Sequence, residues 1–381
     1  MRKGWTETTV GEIVELVSRG RAPSYCEEDG IAVINQKCIR NGRISFEFAR
    51  LTDSKKKSIP DWAFLRVGDT LINSTGVGTL GRASFVARLD ATTTFDSHIT
   101  LVRPNPSHCY PPYVGLFLNF REREIEMFGG GSTGQTELSR EAVNAFPITI
   151  PPLAEQKRIV DVVSSVDAYI NMLQQQADSA RVARNAVLHE LLSAGVDEWT
   201  ETTLGPLVTL TTGKLDVNAG VEEGEFPFFT CSRDTYKIDV AVYSGKSVIV
   251  AGNGDLNVKY YEGEFNAYQR TYILQAINES VLNPVFLFHF MEKYVDTLRN
   301  YTQGSTIQYL KKGQFTEAPI VLPPLAKQER IVEIVSSMDD VVQSTEQAVL
   351  DAKNLRSGLL SDLLSGEHEI PASYDSLLGA A

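Results

Sequence analysis

The 381-residue sequence predicts an α+β protein built twice: two mixed blocks separated by two long antiparallel coiled-coil helices, a tandem duplication with a pseudo-two-fold axis. Three observations predict it. The decapeptide PPLAEQKRIV at Pro151 returns at Pro323 as PPLAKQERIV. An apolar heptad seam follows each copy. Short extended runs, punctuated by Gly and Pro, precede each copy.

The repeat extends well beyond ten residues. Leu153–Ile170 aligns with Leu325–Val342 at an offset of 172, with 10 of 18 positions identical. Two of the differences exchange charge, Glu155 for Lys327 and Lys157 for Glu329. Upstream, FPITIPP from Phe146 parallels APIVLPP from Ala318, and GSTGQTEL from Gly131 parallels GSTIQYL from Gly304. GWTETTVGEIVEL from Gly4 and EWTETTLGPLVTL from Glu198 open the two halves. The expected organisation is a first block at 1–150, a helix at 151–197, a second block at 198–322, a helix at 323–367 and a tail at 368–381.

Each helix starts at a proline pair, as helices often do. The first seam steps through Ile159, Val163, Val166, Ile170, Leu173, Ala177 and Ala180, then Val187 and Leu191. The second steps through Ile331, Val335, Met338, Val342, Thr345, Val349, Ala352, Leu359 and Leu363. An arginine stands in each seam, Arg184 and Arg356, again 172 apart. Gly195 and Gly366 lie where helix stops belong. A helix of about 40 residues is about 60 Å long, too long to bury its seam on one small block. Each seam is therefore expected to cover the other, giving a dumb-bell with a block at each end of a helical rod.

In the blocks, IAVINQKCI, DTLINST, ASFVARL, HITLVR and FPITI read as strands, and YPPYVGLFLNFREREIEMF as one helix. The second block repeats this order and ends in the helical NPVFLFHFMEKYVDTL. GVGTLG (Gly76–Gly81) fits GxGxxG, but the alternating RASFVARLD after it predicts a strand, whereas a nucleotide or S-adenosylmethionine site needs a helix there. YPPY (Tyr110–Tyr113) is similar to the core of amino-methyltransferase motifs, but Tyr110 stands where an Asp, Asn or Ser is required. The five histidines and four cysteines show no HxxxH, HExxH or CxxC spacing, which predicts neither a metal site nor disulfides. No run of about 18 apolar residues predicts a membrane span, and the N-terminus lacks a signal-peptide core. A cytoplasmic location is the expectation.

The net charge of −12 is unevenly spread: +1 over 1–150, −2 over 151–197, −5 over 198–320 and −6 over 321–381. A DNA-binding role then needs locally clustered cations or a partner that supplies phosphate contacts. The polar content supports such a role. In INQKCIRNGRI, Asn35, Gln36, Lys37, Arg40, Asn41 and Arg43 are expected to alternate with apolar residues along an extended run, as amide and guanidinium groups suited to base edges. Asn73, Ser74, Thr75 and Arg82 flank GVGTLG. The second block offers Ser232, Arg233, Lys237, Asn253, Lys259, Tyr268, Gln269 and Arg270. The duplicated Gly-Ser-Thr-x-Gln segments, with Ser132, Thr133, Gln135 and Ser305, Thr306, Gln308, followed by Lys311 and Lys312, suit phosphate contact.

The paired PPLAEQKRIVDVVSSVDAYI and PPLAKQERIVEIVSSMDDVV segments, the Gly-Ser-Thr-x-Gln segments, GKSVIVAGNGDLNVKYYEGEFNAYQRTYIL and the two Trp-containing openings resemble the specificity (S) subunit of type I restriction-modification enzymes over nearly the whole chain. That resemblance implies two target-recognition domains, each reading one half of a bipartite double-stranded DNA target. It implies helices that set the unread gap and dock two methyltransferase (M) subunits, with restriction/translocase (R) subunits joining the complex. S-adenosylmethionine, ATP and Mg are expected on those partners, with no cofactor and no catalysis in this chain. Two other readings stay open on the residues alone: a DNA adenine methyltransferase in its own right, or a structural spacer clamping two proteins.

Overall fold

The computed structural model describes residues 2, 4–40, 42–129, 137–193, 199–301 and 309–378. The chain divides into two compact units. One is residues 1–172 with 349–381, the other residues 173–348. Each unit therefore holds one block and a piece of both long helices.

The two long helices are Leu153–Leu191 and Leu325–Ser365. In the first unit the start of the first helix lies beside the end of the second. In the second unit the end of the first lies beside the start of the second. The pairing is antiparallel in both, and the seam arginines record it. Arg356 ion-pairs with Asp167 in the first unit, and Arg184 with Asp339 at 2.8 Å in the second. Each pair takes one residue from each copy, and the pairs map onto one another by the offset of 172 in both members. The same helix pairing is thus built once in each unit, from corresponding residues of the two copies.

The seam is only partly a helix-to-helix contact. Ile159 and Val163 join Leu360, Leu363 and Leu364 in the core of the first block, against Tyr113, Val114 and Phe117. Ile331 and Val335 join Leu188 in the core of the second block, against Phe286, Leu287 and Met291. Each seam does meet the other helix there, but the first turns of each helix are block core as well. Burying a side chain of this size contributes about 1.5–3 kcal/mol, so block and helix fold as one. Farther along, Ile170, Leu173, Ala177, Thr345, Val349 and Ala352 are buried, while Val166, Met338 and Val342 are half-buried. At the end of the first helix Leu188 is buried rather than Val187 or Leu191, because a 3.6-residue period drifts against a heptad.

In the first block, strands Val14–Arg19, Ile99–Pro104, Thr70–Asn73 and Ala83–Phe85 form an antiparallel sheet in that order. A second sheet holds Thr93–Phe95, Ile31–Ile34, Arg50–Thr52 and Tyr25–Cys26. The second block builds one six-stranded sheet, Val208–Thr212, Thr271–Ala276, Tyr243–Ala251, Val258–Ala267, Phe226–Phe229 and Thr235–Ile238. Its first four strands repeat the order of the first block's antiparallel sheet. The TETT segments close each block by pairing with the strand before its prolines: Thr6 opposite Ile150, and Thr200 opposite Leu322.

The helix expected over YPPYVGLFLNFREREIEMF is two, Pro111–Phe120 and Glu122–Met127, broken at Arg121. Just past the break, the Glu122 carboxylate accepts from the Ala83 N–H at 2.9 Å and from Asn119 at 2.8 Å, tying the chain to the sheet. Gly115 allows that helix to lie close on the sheet, since a Cβ there would stand 2.8 Å from Phe85 Cβ.

The glutamine of PPLAxQ locks helix to block in both copies. Gln156 accepts from the Tyr110 N–H at 2.7 Å and donates to the Pro151 carbonyl at 2.8 Å. Gln328 accepts from the Asn283 N–H at 2.9 Å and donates to the carbonyls of Val281 and Pro323, both at 2.8 Å. One buried amide thus satisfies backbone groups at the foot of the block helix and at the start of the long helix. The charge exchange one residue earlier has a local cause. Glu155 is buried and accepts from the Trp5 indole at 3.1 Å and from Arg2 at 2.7 Å, whereas Lys327 is exposed. Gly366, at φ +77°, ends the second helix against the Trp5 ring. The tail then returns onto the first helix, where the Tyr374 hydroxyl meets Asp161 at 2.5 Å. Gly195 lies outside the described residues.

Candidate nucleic-acid interface

In the first block the polar residues do not alternate along a strand. Strand Ile31–Ile34 ends at Asn35, whose Oδ1 accepts from the Lys37 N–H at 2.9 Å and turns the chain into a short 3-10 helix, Gln36–Cys38. This Asx cap competes with strand geometry and corrects the expected extended run at Gln36–Cys38; extended backbone returns in the paired strands Ile39–Arg40 and Arg43–Ile44. The turn aims Lys37 and Arg40 outward, and Arg40 stacks over Phe48 at 4.2 Å. Asn35 and Gln36 are used as braces instead. Asn35 Nδ2 donates to the Phe48 carbonyl at 2.7 Å, and Gln36 Nε2 donates to Thr75 Oγ1 at 2.7 Å. Arg43 reaches Asn171 on the long helix at 3.2 Å.

The loop carrying GVGTLG joins strands Thr70–Asn73 and Ala83–Phe85. A strand follows it, as its alternation predicts. Asn73 and Ser74 are fully buried and support the loop from beneath; Ser74 Oγ lies 2.5 Å from Thr100 Oγ1. Thr75 is held by Gln36 and by His98 Nδ1 at 2.9 Å, while Arg82 donates to the Gly78 carbonyl at 2.7 Å. Beneath them sits Asp96. Burial pushes its carboxyl above the usual range, against the pull of the His98 N–H, the Tyr25 hydroxyl and Arg19.

The second sheet of this block carries further exposed cations that were not singled out in the sequence. Arg50 stacks over the exposed Tyr25 at 3.5 Å, and the adjoining loop exposes Lys55, Lys56 and Lys57. Asp53 shapes that loop by accepting from the Lys55 N–H at 2.8 Å. The run SKKKS was the available signal, although a charge run alone is usually a solvated turn. Glu27, Glu28 and Asp29 form an exposed acidic turn beyond Tyr25 and Cys26.

In the second block, four segments distant in sequence meet at one edge. The Gly252 N–H donates to the Arg270 carbonyl at 2.9 Å, the Leu310 N–H to Gly252 at 2.8 Å, and Asn257 Nδ2 to Cys231 at 2.9 Å. The first block has the matching bond, from the Leu138 N–H to Ser74 at 2.9 Å, again 172 residues earlier on the donor side. This edge brings together Ser232, Arg233, Asn253, Tyr268, Gln269 and Arg270. Arg270 stacks over Tyr309 at 4.8 Å, and Tyr309 bridges Asn253 through the backbone. The sequence reading missed Tyr309. Arg233 is drawn to Asp255 at 2.6 Å. Lys259 turns inward: its ammonium donates to the Ser232 carbonyl at 2.7 Å, and burial lowers its pKa. Lys237 is exposed on the edge strand Thr235–Ile238, apart from this group, and Lys311 and Lys312 are exposed just past Leu310. Asn41, Ser132, Thr133, Gln135, Ser305, Thr306 and Gln308 lie outside the described residues.

YPPY opens the helix Pro111–Phe120, with Tyr110 at its N-cap, its N–H bound by Gln156. Among the described residues no group of three or more His, Cys, Asp or Glu side chains could hold a metal ion, and no helix is long and apolar enough to cross a membrane.

Comparison with known proteins agrees with this architecture. The type I restriction enzyme EcoDI specificity subunit of Escherichia coli is 35% identical over 174 residues, 45% of this chain and 38% of that protein, so the chain spans well under half of that relative. The putative type I restriction enzyme MjaX specificity subunit of Methanocaldococcus jannaschii is 20% identical over 399 residues, covering 95% of this chain and 93% of that protein. Two solved structures share the fold. The type-I restriction-modification system S subunit from M. genitalium has a TM-score of 0.57 at 16% identity, covering 96% of this chain and 97% of that one. A chain from the work on complex assembly and conformational transition of the type I R-M system has a TM-score of 0.62 at 18% identity, covering 95% and 98%. The family model for the type I restriction modification DNA specificity domain matches residues 2–180 and again 196–351. Carrying that domain twice, on two blocks of matching sheet order, the chain belongs to the type I restriction-modification DNA specificity family.

Proposed function

We propose that this chain is the non-catalytic sequence-recognition subunit of a type I restriction-modification complex acting on cytoplasmic DNA. Each block reads one half of a bipartite duplex target. The paired helices set the unread gap and dock two methyltransferase subunits, and restriction subunits complete the assembly. S-adenosylmethionine, ATP and Mg belong to those partners. The observation that carries the reading is the display of exposed cationic and amide groups on the loops of each block, gathered in the second block from four segments distant in sequence onto one edge. Lys37, Arg40, Arg50 and Lys55–Lys57 serve the first block, and Asn253, Gln269 and Arg270 the second. Cations there neutralise phosphates and give a salt-dependent affinity, while amides read base edges.

The acidic remainder of the chain fits this division, since the helices and tail would face protein rather than phosphate. The test is methylome sequencing of a host with and without the chain. Loss of one bipartite adenine-methylation pattern supports the reading, and an unchanged methylome removes it. A calorimetric titration of the purified chain with S-adenosylmethionine separates it from the methyltransferase alternative, which requires binding.

A further inference from the structure

The contacts that hold the loop carrying GVGTLG leave the side chain at its tip without a role. Its Val77 is completely exposed, at 102% of the reference area, while the loop's other apolar side chain, Leu80, is buried. The near root of the loop is braced from two sides, by Gln36 on Thr75 at 2.7 Å and by His98 on Thr75 at 2.9 Å, and Arg82 supports the tip from within the loop through the Gly78 carbonyl at 2.7 Å. At its far root, a Cβ on Gly81 would stand 2.6 Å from the Glu122 carbonyl, so the loop is seated tightly on the helix Glu122–Met127. At the tip, Gly78 has φ +71° and no atom within 4 Å of the Cβ position, so the backbone beside Val77 is slender and open on that side. A rigid base, a thin tip and one apolar side chain make a probe rather than an adhesive patch, because a patch would need neighbouring apolar area.

Resting on the proposed DNA-reading role, we propose that this loop enters the major groove of the first half-site and that Val77 reads a thymine through its C5-methyl group. The major groove is about 12 Å wide and displays that methyl as its one apolar feature. The flanking Lys37, Arg40 and Arg82 suit a phosphate-lined approach and disfavour an apolar protein partner. The corresponding loop of the second block, Gly252–Asn257, presents Asn253, Gly254 and Asp255 instead. The same position in the two blocks therefore carries different chemistry, as two different half-sites require.

The test uses the chain assembled with its methyltransferase subunits and synthetic duplexes of the target found from the methylome. Each thymine of the first half-site, on either strand, is replaced in turn by deoxyuridine, which removes only the methyl. One replacement should weaken binding about fourfold, the worth of a buried methyl-sized group at about 0.8 kcal/mol. With Val77→Ala that same replacement should have no further effect. The inference is overturned if every deoxyuridine is neutral, if the Val77→Ala complex keeps the full penalty, or if the first half-site contains no thymine. It is also overturned if Val77→Ala weakens subunit assembly on gel filtration rather than methyl discrimination, which would assign the tip to a protein contact. A host methylome without any pattern dependent on the chain would defeat the DNA-reading role itself, and so is distinguishable from failure of this inference.

Discussion

Replacing Arg184 should separate the two seam arginines by their surroundings. Arg184 is 8% exposed and serves four groups: Asp339 at 2.8 Å, Glu292 at 2.8 Å, His289 Nδ1 at 3.2 Å and Asn185 at 3.4 Å. Burial disfavours its charge, but the bonds to Asp339 and Glu292 outweigh burial and raise its pKa. Arg356, 25% exposed, meets Asp167, itself 36% exposed. Breaking a fully buried pair from one side costs about 3–5 kcal/mol, and an exposed pair at most about 1. Glu292 is 28% exposed and Asp339 43%, so both recover part of their hydration when the arginine is lost. Arg184→Met should then cost about 2–3 kcal/mol, and Arg356→Met about 1. With a urea slope of about 2 kcal/mol per molar, the first shifts the midpoint by about 1–1.5 M and the second by about 0.5 M. Hydrogen exchange read on peptides from 284–301 and 325–348 localises the loss to the second unit. Adding Glu292→Gln and Asp339→Asn to Arg184→Met should restore most of it, because the stranded charges are then gone. Equal costs for the two arginines, or no recovery in the triple variant, would refute this reasoning.

Other expectations follow from the same contacts. Gln328→Ala and Gln156→Ala each strand buried backbone groups and should each cost about 2 kcal/mol in urea unfolding. For Glu292, burial raises the pKa, but bonds from His289 and Arg184 outweigh it and hold the carboxyl below the usual range. Its contribution is fully present above the unfolded carboxylate range, near pH 4–5, and is lost as pH falls through the lower folded value. Glu292→Gln should therefore flatten the acid limb of the second unit's stability profile, measured as urea midpoints between pH 3 and 7. Changing Lys55, Lys56 and Lys57 together to Glu should weaken DNA binding by the assembled complex and reduce its log–log salt slope by about 2–3, with the methylated sequence unchanged.

The duplication and the long helices were legible because an offset of 172 survives in apolar periodicity, in the seam arginines and in the glutamine of PPLAxQ. Each of those positions answers a backbone or packing demand that both halves share. The division into units was not legible. Which turns of a seam meet the other helix and which enter a block depends on tertiary shape, as Ile159 and Ile331 illustrate by packing into block cores. The extended reading of Asn35–Arg43 failed at Gln36–Cys38, where a single Asx cap outweighs strand propensity, and is met only in the short paired strands Ile39–Arg40 and Arg43–Ile44. Asn35, Gln36, Asn73, Ser74 and Lys259 show why polar character alone does not locate an interface. Their side chains brace the loops that carry the exposed groups, a distinction set by burial rather than by residue type. The charge exchange at 155 and 327 has a tertiary cause, since Glu155 accepts from the Trp5 indole while Lys327 is exposed.

The central claim, that each block reads its own half-site, is tested most directly by exchange. Residues 1–150 are replaced by the corresponding block of another member of the family, and the adenine methylation left in the host by the assembled enzyme is sequenced. One half-site should change, while the other half-site and the gap between them stay as they were. A change in both half-sites, or in neither, would contradict the account.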